Sequence, residues 1–197
     1  KWRNSTSMKL YSAYYSEQDP FNFFKSVESI INPKQLSKDG ALILWGGEDI
    51  SPSIYKQKAV KTNAPETPSR RDLIEIELFK AAVSLGIPII GVCRGAQLAC
   101  ALSGGSLFQH IEGGHHSTHY VDTKDGHTFK TSSCHHQALN LEKIPDTEYE
   151  LLAWDKNRST KVWTDQTTDV KEIPEVVLFQ CGSGSRYPRT PRMDASK

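Results

Sequence analysis

The sequence predicts a single α/β domain with a doubly wound, mostly parallel sheet. Two short apolar runs, residues 41–45 and 87–92, have the length and the β-branched content of buried strands. A segment with helical periodicity precedes the second run, and another helix follows it from residue 95 to 102. Strand and helix therefore alternate in the first half of the chain, as doubly wound folds require.

The composition indicates one globular domain. The chain has 197 residues, of which 37% are hydrophobic and 24% charged, and this excludes global disorder. We expect the domain to span residues 8–179. Residues 1–7 are polar and without pattern, and they are interpreted as upstream sequence or an expression-derived extension. Residues 180–197 are rich in Gly, Ser, Arg and Pro, and they are interpreted as a disordered or foreign tail.

Charge and cysteine use exclude several classes of protein. The net charge is +1 without a basic block, so we expect no nucleic acid partner. No apolar run approaches the roughly 20 residues that span a bilayer, so we expect no membrane partner. The four cysteines form no C-x-x-C pair, and no secretory signal opens the chain. Both facts predict reduced thiols and a cytoplasmic location.

Local signals place the remaining elements. Ser69 has the position of a helix N-cap with Asp72 completing a capping box, and Gly86 has the position of the helix stop. Further segments are a first strand at 9–15, an amphipathic element at 21–31, a long surface loop at 50–68, and strands at 149–154 and 175–179.

Cys93 has the surroundings of a nucleophile elbow. Gly91 and Gly95 flank it by two positions on each side, at the predicted junction of strand and helix. A helix N-terminus stabilises a thiolate, and the backbone N–H of Arg94 would face the oxyanion formed when a carbonyl is attacked. The alternative is a buried structural cysteine, which the paired glycines disfavour.

Gly46 and Gly47 offer a second oxyanion donor. They end the strand at 41–45, so they should lie at the same carboxyl edge of the sheet as Cys93. Glycine lets a backbone N–H turn inward without a side chain in the way. An ordinary strand-to-loop turn is the alternative.

Three segments carry a family resemblance. Residues 70–111, the loop G-G-E-D-I-S-P-S-I-Y at 46–55, and S-C-H-H-Q-A-L at 133–139 resemble the γ-glutamyl hydrolase (γ-glutamyl-γ-aminobutyrate hydrolase-like) branch of the class I glutamine amidotransferase superfamily. The resemblance implies a flavodoxin-like fold, a Cys-His-Glu triad with Cys93 as nucleophile, and oxyanion donors at Gly47 and Arg94.

The resemblance also implies which residues meet the substrate. The implied substrate-binding residues are Gly46, Gln97, Ser133, His135 and His136. Arg71, Asp72 and Glu75 match a charged cluster of this branch, although a solvated helix face explains them equally well.

The sequence departs from this branch near its end. The branch places its general base in a His-Pro-Glu motif, whereas no histidine occurs here after His136. We expect a truncated or frame-shifted end near Phe179, or a diverged natural one. A thiol enzyme needs a base and a proton donor, so turnover should be impaired. A substitute base at His135 or His136 is the alternative.

The function expected is hydrolysis of glutamine or γ-glutamyl amides through a cysteine thioester, with a small-molecule substrate and no cofactor. An ammonia-accepting synthetase is a candidate partner. The alternatives are a non-catalytic binding or regulatory relative, and a redox protein with the same elbow. The histidines between 110 and 119 also suggest zinc, but Gly113 and Gly114 and the β-prone Thr118 and Tyr120 disfavour a helical ligand pair, so we expect no metal.

Overall fold

The structure is a computed structural model that describes residues 8–13, 26–112, 118–155, 160–164, 167–170 and 172–179. The helices are α1 (Arg70–Leu85) and α2 (Arg94–Leu102), with 3₁₀ turns at Pro33–Gln35 and Pro52–Tyr55. The strands are β1 (Lys9–Ser12), β2 (Glu28–Ser29), β3 (Gly40–Leu44), β4 (Ile89–Gly91), β5 (Ser106–Phe108), β6 (His110–Ile111), β7 (Thr118–Thr123), β8 (Thr128–Ser132), β9 (Ala138–Asn140), β10 (Tyr149–Asp155), β11 (Thr160–Trp163), β12 (Thr167–Val170) and β13 (Ile173–Phe179). The expected extension at 1–7 and tail at 180–197 lie outside the described residues.

A four-stranded parallel sheet carries the first half of the fold, in the order β2-β1-β3-β4. All five residues of β3 are buried, as the apolar run predicts. The amphipathic element expected at 21–31 is described only from residue 26, where it contributes the two-residue strand β2. The α/β class is therefore confirmed for this half.

Helix α1 begins and ends where the sequence predicts. The Ser69 hydroxyl accepts the backbone N–H of Asp72, and the Asp72 carboxylate accepts the backbone N–H of Ser69. Gly86 closes the helix in the left-handed region at φ 68. Both signals are local in the chain, so the predicted helix boundaries are confirmed.

Strand β4 is shorter and less enclosed than the apolar run predicts. It is the terminal strand of the parallel sheet among the described residues, and Ile90 is 37% exposed. The expectation that both faces of this run are buried is therefore wrong for the part of the chain that the structure describes. An apolar groove of about 470 Å³ runs beside β4, lined by α1, α2 and β13.

The second half is antiparallel. Four strands pair in the order β13-β10-β7-β8, three in the order β12-β11-β6, and β5 pairs with β9. The expected strands at 149–154 and 175–179 are β10 and β13, each slightly longer than predicted. The sheet content is consequently mixed, and a mostly parallel sheet describes the first half only.

The segment at 50–68 is not wholly a surface loop. Ile50 and Ser51 are fully buried and Tyr55 is 3% exposed, because the turn Pro52–Tyr55 packs against α2. The apolar side chains of this turn join the main core between α1, α2 and the parallel sheet. Among the described residues, no helix has the length and apolarity needed to cross a membrane.

Candidate active site

Cys93 lies at the sharp turn between β4 and α2. Its backbone has φ 53 and ψ −114, a conformation that residues other than glycine rarely adopt. It is the N-cap residue of α2, and its carbonyl accepts the backbone N–H groups of Ala96 and Gln97. The turn therefore has the strained strand-to-helix geometry that presents a nucleophile in α/β hydrolases.

The two flanking glycines are required by close packing. A Cβ added at Gly91 would lie 2.7 Å from the backbone of Gly95 and Ala96. A Cβ added at Gly95 would lie 2.0 Å from the carbonyl oxygen of Leu44 on β3. Real Cβ atoms do not approach backbone this closely, so only glycine lets α2 start directly against β3.

Gly46 and Gly47 face the thiol from the end of β3. A Cβ at Gly46 would lie 3.4 Å from the Cys93 Cβ and 3.8 Å from its Sγ. Partial burial in this packed turn raises the pKa of the Cys93 thiol, although the residue is exposed at the surface. The backbone N–H groups of Arg94 and Gly47 oppose that rise by hydrogen bonding to the sulfur. Gly46 therefore lies beside the thiol at the end of β3, and the backbone N–H groups of Gly47 and Arg94 act to lower the pKa of that thiol.

A buried cluster of charges lies behind this turn. The Arg94 guanidinium is 2% exposed and donates hydrogen bonds to the carboxylates of Asp72 and Glu75, each 1% exposed. The solvated helix face considered for these residues is therefore wrong. Opposite charges that pair out of water hold the first turns of α1 and α2 together.

Arg71 extends this cluster to the glycine loop. Its Nε donates to Glu75 Oε1 at 3.0 Å, and its Nη2 donates to the carbonyl oxygens of Trp45 at 3.0 Å and Gly46 at 3.1 Å. We refer to Arg71, Asp72, Glu75 and Arg94 together as the charge cluster. It contacts both chain segments that carry the predicted oxyanion donors.

Asp49 and His136 form a pair that sequence reasoning missed. His136 Nε2 lies 2.9 Å from Asp49 Oδ1, and Asp49 Oδ2 accepts the Thr62 hydroxyl and the Asn63 backbone N–H. Asp49 is close enough to Cys93 to contribute to the raised pKa of its thiol. The motif G-G-E-D was visible in the sequence, but a contact across 87 positions has no local signal.

The remaining predicted pocket residues differ in their surroundings. Gln97 is 6% exposed, and its side chain makes no hydrogen bond within the described residues. Ser133 is half-buried and likewise makes no side-chain hydrogen bond within those residues. His135 Nδ1 lies 2.8 Å from the Gln137 carbonyl oxygen, which holds the imidazole on the loop before β9.

Glu175 of β13 lies among titratable groups from three other segments. Its carboxylate oxygens lie 3.5 Å from His119 Nε2 on β7 and 4.0 Å from His135 Nε2, and Asp155 of β10 is nearby. Burial raises the pKa of Glu175 to about 7, the Asp155 charge adds to the rise, and His119 opposes it.

Glu175→Gln is expected to flatten the pH dependence of stability. The folded protein keeps the Glu175 proton up to about pH 7, whereas the unfolded chain releases it near pH 4.5, so the free energy of unfolding falls between these values. The variant should therefore exceed the parent at pH 8 by about 2 kcal/mol, with a smaller difference at pH 5. Thermal unfolding at both pH values measures this, with the exposed Glu172→Gln as control. Equal differences at pH 5 and pH 8 would contradict the expectation.

The histidines considered for zinc are only partly described. His115 and His116 lie outside the described residues. Across the described ranges, no group of three or more His, Cys, Asp or Glu side chains has the arrangement of a metal site. His110 and His136 lie with ring centroids 6.1 Å apart, and burial, Lys61 and His136 lower the pKa of His110.

Comparison with known proteins gives a family match over residues 28–162, to the family described as Peptidase C26. The chain is 36% identical over 116 residues to protein NtpR of Enterococcus hirae, covering 56% of this chain and 44% of the relative. It is 41% identical over 73 residues to a Rickettsia prowazekii protein whose name includes glutamine amidotransferase-like, and the match covers 37% of this chain and 26% of that protein. It is 30% identical over 73 residues to gamma-glutamyl-gamma-aminobutyrate hydrolase of Escherichia coli O157:H7, and the match covers 37% of this chain and 28% of that protein. The chain thus matches less than half the length of each of these relatives.

Proposed function

Because the chain belongs to the peptidase C26 family, we propose that it hydrolyses glutamine or γ-glutamyl amides through a covalent thioester on Cys93. The observation that carries the proposal is the sharp turn at Cys93, with φ 53, against which Gly46 at the end of β3 packs so closely that a Cβ there would lie 3.4 Å from the Cys93 Cβ. The backbone N–H groups of Gly47 and Arg94 lower the pKa of the thiol, which supports the same proposal. This arrangement would serve attack on a carbonyl carbon, because the oxyanion would form beside the sulfur, within reach of the N–H groups of Gly47 and Arg94. The names of the relatives support amide substrates of the glutamine type.

The proposed reaction has two covalent steps. The Cys93 thiolate attacks the side-chain amide carbon, a C–S bond forms, and the carbonyl electron pair moves to the oxygen held by Gly47 and Arg94. Collapse breaks the C–N bond, and the leaving nitrogen takes a proton and departs as ammonia or an amine. Water then attacks the thioester, and glutamate and the free thiol are released. Gln97, a residue 6% exposed and one helical turn beyond Cys93, is proposed to bind the amino-acid head of the substrate.

The substrate pocket is proposed to include Gly46, Ser133, His135 and His136 as well. Membership of the peptidase C26 family supports a flavodoxin-like arrangement of the domain. If the substrate is free glutamine, the released ammonia would call for a synthetase partner that accepts it.

We propose that turnover by this chain is impaired. The proton for the leaving nitrogen and the base for the thiol are normally one imidazole, and residues 180–197 contain no histidine. We propose His136 as the substitute base, because it pairs with Asp49, which lies close enough to Cys93 to raise the pKa of its thiol. In the tautomer that donates from Nε2 to Asp49, its Nδ1 remains an acceptor. Slow hydrolysis lost in His136→Ala and kept in His127→Ala, an exposed histidine, would support this role.

A non-catalytic binding relative is the second candidate. The raised pKa of the Cys93 thiol favours it, because a protonated thiol at neutral pH is a weak nucleophile. Such a protein would bind glutamine through the same pocket without forming a covalent bond.

A glutamine-analogue chloroketone separates the two candidates. We expect one adduct on Cys93 by peptide mass spectrometry, slowed by excess glutamine and absent in Cys93→Ser. Cys134→Ser is the matched control, because Cys134 is also an exposed free thiol near Cys93, and this variant should be labelled like the parent. Glutamine binding by calorimetry without any adduct would support the binding relative instead.

A further inference from the structure

We propose that Arg71 is a positioning residue that holds the Gly46–Gly47 peptide in the orientation in which the Gly47 N–H faces Cys93. This inference rests on the proposed function, since it concerns the second oxyanion donor of that site.

The geometry follows from the planar trans peptide. The C=O of Gly46 and the N–H of Gly47 belong to one peptide unit and point in opposite directions. Arg71 Nη2 donates to the Gly46 oxygen at 3.1 Å, which draws this carbonyl toward α1. The Gly47 N–H is thereby directed to the other side, where the Cys93 sulfur lies.

Without the hydrogen bond from Arg71, little else fixes the orientation of the Gly46–Gly47 peptide. Neither Gly46 nor Gly47 has a side chain to restrict rotation, and Gly47 has φ 146, outside the range that other residues favour. Rotation of this peptide by half a turn would place the Gly46 carbonyl against the thiol and remove the donor. A carbonyl dipole at that position would repel both the thiolate and the oxyanion.

The guanidinium fork suits this role better than a single charge. One edge of Arg71 pairs with Glu75 through Nε, while Nη2 binds the carbonyls of Trp45 and Gly46. Glu75 also pairs with Arg94, the residue that supplies the first donor. A lysine at this position would keep the charge near Glu75 but could not form all three contacts in fixed directions.

The test measures the thiol itself, so it does not require turnover. Cys93 alkylation by iodoacetamide is followed by peptide mass spectrometry from pH 6 to 10 in the parent, Arg71→Gln, Arg71→Lys and Arg70→Gln. Arg70 is an exposed arginine at the preceding position of α1, so its variant removes the same charge without touching the loop. Thermal unfolding of each variant shows which remain folded.

We expect the midpoint of alkylation to rise by about one pH unit in Arg71→Gln and in Arg71→Lys, because the thiolate loses one charge-assisted hydrogen bond. Labelling by the glutamine-analogue chloroketone should slow about 100-fold in both variants, the usual effect of losing one oxyanion donor. Arg70→Gln should match the parent in both measurements. Arg71→Lys should unfold near the parent temperature, so it carries the test if Arg71→Gln does not fold.

Two outcomes separate this inference from the proposed function. Unchanged alkylation midpoints in folded Arg71 variants would overturn the positioning role, even if the chloroketone labels the parent. A parent that resists the chloroketone while the Arg71 variants show a raised midpoint would overturn the proposed function and support the positioning role.

Discussion

Gly95→Ala is expected to lower the free energy of unfolding by more than about 4 kcal/mol, or to prevent folding. The added Cβ would lie 2.0 Å from the Leu44 carbonyl oxygen and 2.5 Å from its carbon, and backbone cannot move aside as a side-chain tip can. Helix α2 would have to leave β3, which would open the main core. Soluble yield and urea denaturation measure the effect.

Gly126→Ala is the matched control for this change. Gly126 lies in the turn between β7 and β8 at φ 86, and a Cβ there would meet no atom within 4 Å. Its cost should be only the strain of a left-handed alanine, about 1 kcal/mol. Similar losses in the two variants would show that the contact with Leu44 is not what requires glycine at position 95.

Arg94→Met is expected to cost about 3–5 kcal/mol, because it leaves two carboxylates buried with one fewer cation. Asp72 and Glu75 are each 1% exposed, so water cannot replace the hydrogen bonds that their carboxylates lose with the guanidinium. Denaturant unfolding at pH 7 measures the loss.

Neutralising the partners should recover part of that loss. Asp72→Asn and Glu75→Gln added to Arg94→Met remove the unpaired charges, so the triple variant should be more stable than Arg94→Met alone. Lys80→Met breaks the exposed pair between Lys80 and Glu77, and it should cost at most about 0.5 kcal/mol. A triple variant no more stable than Arg94→Met would contradict a charge-based explanation.

The sequence predicted those features that depend on neighbours in the chain. The capping box of Ser69 and Asp72 is confirmed because both partners lie within one helical turn. The burial of β3 is confirmed for a similar reason, since a run of apolar residues between two turns has few other places in a fold. The position of Cys93 at a strand-to-helix junction was predicted from the two flanking glycines, and the contacts of Gly91 and Gly95 give the physical reason for them.

The sequence could not predict contacts between distant segments. Nothing near Arg94 indicates that its side chain turns inward to Asp72, 22 positions away. The pairing of His136 with Asp49 depends on the route of the intervening chain, and so does the position of β4 as the last strand of the parallel sheet within the described ranges. Hydrophobic periodicity predicts which face of an element is apolar, but it does not predict which other element packs against that face.

The charge cluster has a consequence for how the site responds to local unfolding. Active-site loops are commonly among the least stable parts of a protein and open separately from the core. Here the glycine loop is bound to Arg71, and Arg71 is bound through Glu75 to the first turn of α2, the helix that begins directly after Cys93. The loop and both helix starts therefore belong to one cooperative unit. The carbonyl groups of Trp45 and Gly46 should therefore keep their contacts with Arg71 until that unit opens, and the thiol should keep its neighbours until then.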